Sequence, residues 1–179
     1  MRFSEVGVIP TVAWEDGAVV MIDQRRLPRE EVLLRCRDHH EVAAAIKDMA
    51  IRGAPAIGVA AALGLALGAR TTRSEGSSLQ AEWSDMCATL AATRPTAVNL
   101  FWAIERMRER FRSLEPAGGE TLRHGLLDEA LAIQRADLES CRRMGDLGAE
   151  LLPAEARVLT HCNAGTLATA GHGTALGVI

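Results

Sequence analysis

Two short alternating segments lie near the start of the chain, Val8–Trp14 and Ala18–Asp23. The Glu15-Asp16-Gly17 between them predicts a β-hairpin, because Asp-Gly tolerates the positive φ angles of a tight turn. After Leu27-Pro28 a third run, Glu31–Cys36, predicts another strand, giving a small β-meander over residues 1–40. Asp38 followed three residues later by Glu41 has the form of a capping box, so a helix from about Glu41 to Ala50 is expected next. Ala54–Ala69, APAIGVAAALGLALGA, has no polar face at any helical phase. It is bounded by Arg52 and Arg70 and falls short of the roughly 20 residues of a membrane span, so it predicts a central helix buried on all sides.

A polar loop, Thr71–Ser77, precedes a helical pattern over Leu79–Ala92. Thr93-Arg94-Pro95-Thr96 breaks that pattern, and Ala97–Leu114 resumes it with Leu100, Phe101, Ile104, Met107 and Phe111 on one face. Glu115–Gly119 reads as a loop. Thr121–Leu152 is helical again, with a break expected near Gly145 or Gly148 and an end before Pro153. Arg157–Thr160 is then a short β-prone run that leads through His161-Cys162-Asn163-Ala164-Gly165 into a Gly- and Ala-rich helix. One strand–loop–helix cannot cover both faces of its own strand, so residues 153–179 read as the start of a second unit. The expected fold is α+β: a β-meander and a helical domain over 41–152, leading into the first strand–loop–helix of a truncated Rossmann-like α/β domain.

Composition narrows the function. With 48% hydrophobic and 24% charged residues the chain can bury a core, and with only 3% aromatics that core suits close-packed helices. The net charge of −3 gives no general footprint for nucleic acid, so any anion site must be local. The four cysteines, at 36, 87, 141 and 162, form no C-x-x-C and suggest neither a zinc cluster nor a disulfide framework; a reducing cytoplasm is expected. MRFSEVGVIP lacks the layout of a signal peptide. His39-His40, His124 and His172 lack partners at ligand spacing, so no metal is expected. Gly171-His172-Gly173 is not a G-x-G-x-x-G turn after a strand, so no dinucleotide is expected either.

Three loops are suited to an anion and its chemistry. Arg52-Gly53-Ala54-Pro55 sets a guanidinium before a helix start whose free amides favour phosphate, although a solvated Arg at an ordinary helix start has the same sequence. Thr93-Arg94-Pro95-Thr96 repeats the arrangement with Thr96 as N-cap; Arg94 there binds phosphate bidentately, or caps or pairs locally. Cys162 sits where a strand's end would meet a helix N-terminus, a setting that favours thiolate and suits proton transfer or nucleophilic attack. The other reading of a cysteine, a small buried hydrophobe, is the expectation for Cys36, Cys87 and Cys141.

MAIRGAPAIG (49–58), TRPTAVNLFW (93–102) and LTHCNAGTLATAG (159–171), together with VAWEDG (12–17) and DQRRLP (23–28), resemble the S-methyl-5-thioribose-1-phosphate isomerase family. The resemblance covers essentially the whole chain. It implies an aldose–ketose isomerase of methionine salvage, a homodimer acting on a small sugar phosphate without metal or other cofactor, and with no nucleic acid or membrane partner. It further implies Cys162 as the catalytic cysteine and Arg52, Gly53, Ala54 and Arg94 as substrate-binding positions. Family members are longer and keep their catalytic aspartate beyond the matched stretch, so this chain resembles their N-terminal half and is expected to be an incomplete enzyme alone. Two alternatives are a ribose-1,5-bisphosphate isomerase and a non-catalytic, sugar-phosphate-binding regulatory subunit of a translation-initiation guanine-exchange factor.

Overall fold

The structure, a computed structural model, describes residues 11–179. The meander forms as the alternation predicts, with β1 (Val12–Glu15), β2 (Ala18–Ile22) and β3 (Leu33–Cys36) antiparallel in that order. Asp16 and Gly17 turn the hairpin with φ of 47° and 76°, and Val12 stands opposite Met21, which in turn faces Leu34. The Val8–Pro10 part of the expected first strand lies outside the described residues. All five residues of β2 are buried, because the strand lies between β1 and β3 and α2 packs on it.

Helix α1 (His39–Lys47) begins two residues before the expected Glu41. The Glu41 amide donates to Asp38 Oδ1 at 2.9 Å, and the Glu41 carboxylate accepts the Arg37 amide at 2.6 Å, one residue further out than in the usual capping box. The helix stops at Lys47 and not Ala50. Met49 turns left-handed (φ 61°), and the amides of Ala50 and Met49 fold back onto the carbonyls of Ala45 and Ile46, a Schellman closure.

Helix α2 (Ala54–Thr71) is the axis of the molecule, and every residue from Ala56 to Ala69 is buried. It is long and apolar enough to cross a membrane, yet that apolar surface is covered by α1, α3 (Gly76–Ala91), α4 (Val98–Leu114), α5 (Gly119–Ala149) and the sheet. At its C-terminal end, Arg123 of α5, only 7% exposed, donates to the carbonyls of Ala69 and Ser74 at 3.1 Å each and of Thr72 at 3.5 Å. The Glu75 carboxylate lies 3.5 Å from the same guanidinium.

Helix α4 buries Leu100, Ile104, Met107 and Phe111 as expected, but Phe101 is turned outward. It lies about 100° around the helix from Leu100, at the edge of the stripe, where nothing covers it. The expected loop at 115–119 contains a 3₁₀ turn, Glu115–Ala117. Helix α5 then runs unbroken for 31 residues and ends at Ala149. Gly145 and Gly148 do not break it. They admit the short α6 (Ala175–Val178): a Cβ on Gly145 would lie 2.7 Å from the Gly177 carbonyl oxygen, and one on Gly148 2.6 Å from Val178 Cγ1.

The last segment departs most from expectation. Arg157–Thr160 is not a strand, and Leu159 is 97% exposed. No strand among the described residues runs beside it, and an unpaired strand has no partner for its backbone groups. Nor does a helix follow Cys162. Thr166–Ala168 makes a 3₁₀ turn, after which the Thr169 hydroxyl accepts the amides of Gly171, His172 and Gly173 at 3.2, 3.2 and 2.9 Å. A side chain that takes the amides a helix would need holds the segment in turns.

Candidate functional site

The three segments singled out in the sequence meet at the N-terminal end of α2. Gly53 is the N-cap, with φ 96°, and no side chain caps the first turn. A Cβ on Gly53 would lie 2.3 Å from Ala168 Cα and 2.4 Å from its carbonyl oxygen, so only glycine lets the Arg52-Gly53 corner rest on the 166–168 turn. A Cβ on Gly58 would lie 3.0 Å from the Asn99 carbonyl oxygen, which brings the starts of α2 and α4 to the same end. The 166–170 turn is pinned from three sides. Thr11 Oγ1 donates to Thr166 O at 2.7 Å, Gln24 Nε2 to Leu167 O at 2.8 Å, and the Ala170 amide to Asp137 Oδ2 at 2.7 Å.

Arg52 and Ala54 are exposed and Gly53 is half-buried, so this corner faces solvent. Arg94 is half-buried and makes neither of the local contacts that would explain it. The Ala97 amide closes a turn onto the Arg94 carbonyl at 3.0 Å, and the N-cap of α4 is therefore Ala97, not the expected Thr96. Arg94 takes part in none of the ion pairs among the described residues, and its Nη1 is buried without a hydrogen-bond partner. Arg110 Nε shares that condition, but the Glu129 carboxylate stands 3.8 Å away from it. A buried guanidinium nitrogen with no acceptor is costly unless something outside the chain supplies one.

Cys162 is exposed and adopts a left-handed conformation, φ 72°. The helix dipole expected to favour its thiolate has no helix here to arise from. No hydrogen bond among the described residues joins Cys162 to Arg52 or Arg94. Cys36, Cys87 and Cys141 are buried, and burial pushes their thiols up, Cys36 to about 11. Among the described residues no three of His, Cys, Asp and Glu are grouped to hold a metal ion.

Sequence reasoning missed Asp137. Ala130, Ile133, Asp137 and Cys141 follow one another on the inner face of α5, and a carboxylate within an apolar stripe is the signal that could have found it. Burial raises its pKa and the Ala170 amide partly offsets the shift. Asp137 also lines a cavity of about 360 Å³ between α2, α4 and α5, together with Pro55, Asn99, Trp102 and Arg106. A larger hollow of about 650 Å³, between α3 and α4, contains none of the site residues.

Proteins named methylthioribose-1-phosphate isomerase from Trichlorobacter lovleyi and Koribacter versatilis are 56% and 52% identical to the chain over 170 and 173 residues, 94% and 96% of its length and 49% of theirs. The chain thus spans about half the length of the curated relatives it matches. Among solved structures, the 5-methylthioribose 1-phosphate isomerase from Pyrococcus horikoshii superposes with a TM-score of 0.89 at 42% identity, over 94% of this chain and 48% of that one. The translation initiation factor eIF-2B, subunit delta, from A. fulgidus gives 0.83 at 43% identity, over 94% and 49%. The sequence profile of the Initiation factor 2 subunit family matches residues 50–179, which takes in the α2 start, the Arg94 turn and the Cys162 loop, and the chain belongs to that family.

Proposed function

We propose that this chain is the phosphate-gripping half of an aldose–ketose isomerase that converts 5-methylthioribose 1-phosphate to 5-methylthioribulose 1-phosphate in methionine salvage. The observation that carries this is Arg94, whose buried Nη1 has no acceptor among the described residues, at the end where the three segments meet. The names of relatives at 50–56% identity support the substrate. A 1-phosphate locks the sugar as a furanoside, so the ring must open with acid–base assistance before hydrogen passes from C2 to C1. Cys162 supplies the thiol for proton transfer, Arg52 and Arg94 hold the phosphate, and Gly53 and Ala54 present amides of an uncapped helix start. The sugar is isomerised without net oxidation, and the proposal includes no cofactor.

The proposal has three further parts. The meander and the helical domain, 41–152, are separate units, and 153–179 open a Rossmann-like α/β domain. The exposure of Val158 and Leu159, a β-prone run with no strand alongside, supports the last of these. The assembly is a homodimer, and the compartment is the cytoplasm, where the cysteines stay reduced. A second reading, a regulatory subunit that binds a sugar phosphate without turning it over, is favoured by the likeness to the A. fulgidus initiation-factor subunit.

The test is NMR of 5-methylthioribose 1-phosphate with the 179-residue chain, alone and mixed with the C-terminal part of the Trichlorobacter lovleyi isomerase, against a Cys162→Ala control. Ketose formed by wild type in either arm and not by Cys162→Ala is the expected result. Binding without turnover in both arms favours the regulatory reading, and absence of binding overturns both.

A further inference from the structure

We propose that Asp137 is a specificity-determining residue: facing the cavity between α2, α4 and α5, it makes that cavity unfit for a second phosphate and selects a sugar phosphate whose far end is uncharged and apolar. This deepens the sugar-phosphate proposal above and rests on it. The cavity adjoins the meeting point of the three segments. Pro55 in the first turn of α2 and Asn99 in the first turn of α4 both line it. Asp137 itself holds the amide of Ala170, two residues from the Ala168 backbone that rests on Gly53. A ligand whose phosphate reaches Arg94 at the α4 start therefore has this cavity beside it.

The charges there are arranged against a second phosphate. The cavity's one lining cation, Arg106, already donates to Glu129 Oε1 at 2.6 Å and lies over the Trp102 ring at 5.6 Å. Among the described residues Asp137 has no cation within ion-pairing distance, and the Ala170 amide is its hydrogen-bond partner. A dianion in the cavity would face an uncompensated carboxylate and a guanidinium that is already neutralised. The remaining wall, Val59, Ile133 and the half-exposed Trp102, suits a thioether or alkyl group. The phosphate grip proposed for Arg52 and Arg94 lies outside this cavity's lining, so the cavity itself offers no free cation among the described residues for a second phosphate.

Calorimetric titration of the 179-residue chain with 5-methylthioribose 1-phosphate and with ribose 1,5-bisphosphate tests this. The expected result is a preference for the monophosphate of at least about tenfold. Asp137→Asn, which keeps an acceptor for the Ala170 amide, should move the ratio towards one by tightening the bisphosphate. Ala136→Lys adds a cation at an exposed position lining the same cavity and should move the ratio the same way, which keeps the test open if the first variant fails to fold. A ratio unmoved in the folded variants, or a wild type that binds the bisphosphate at least as tightly, overturns the role of Asp137. If neither compound binds, the sugar-phosphate proposal itself falls and takes this one with it, a different outcome from a measurable ratio that does not respond.

Discussion

The two ends of α2 each have an arginine from a neighbouring element, and the two are used in opposite ways. Arg123, at the C-terminal end, is buried and directs its donors at three carbonyls around the end of the helix, with Glu75 alongside. Those carbonyls have no partners within the helix, so the guanidinium completes it from outside. Arg94, near the N-terminal end, has a buried nitrogen that nothing among the described residues satisfies. Among the described residues the first charge is saturated and the second is not, and under the proposed function a ligand supplies the missing acceptor.

The contrast predicts that substitution should harm stability at one end and binding at the other. Arg123→Ala should show the largest effect, costing about 3 kcal/mol of unfolding free energy through lost charged hydrogen bonds and stranded carbonyls. Urea denaturation measures it, and a loss below about 1 kcal/mol would remove Arg123 from its structural role. Arg94→Ala should leave the urea midpoint nearly unchanged while weakening sugar-phosphate binding by about 1.5–3 kcal/mol, read by calorimetry. Equal loss of stability in both variants would erase the distinction between the two ends.

The smallest effect concerns Asp137, a half-buried carboxylate held by one backbone amide and paired with no cation among the described residues. Its folded-state pKa is raised, chiefly by burial. The folded protein thus holds its proton to higher pH than the unfolded chain, and stability falls as pH rises from the ordinary aspartate range through the raised value. Asp137→Asn should therefore be the more stable protein at neutral pH, with the gap closing as pH drops towards that range. Unfolding midpoints at several pH values check the sign, and a gap that widens on acidification would contradict it.

How much of this was legible in the sequence follows from what each element depends on. The Asp16-Gly17 turn is set by local backbone preference, and α2 by the absence of any polar residue over three turns, so both could be read directly. Gly145 and Gly148 could not. In isolation they weaken a helix, and only the arrival of α6 shows that they are contact points. Arg157–Thr160 has the composition of a strand, but a strand exists only with a neighbour to pair with. The corner at Arg52 and the turn at Arg94 were visible as Arg and Pro at helix starts. That Thr169 would hold the following segment in turns depended on a hydroxyl reaching three amides, and the pattern of apolar positions carries no record of that.

The pins on the 166–170 turn also set an order of assembly. Thr11 and Gln24 bond to residues 155 and 143 positions further along the chain, so during synthesis these two side chains find their partners only after Thr166 and Leu167 have been made. Contacts of such long sequence separation close late, after the local helices have formed. A chain cut before Thr166 is therefore expected to keep its helical core while Thr11 and Gln24 lose these two partners.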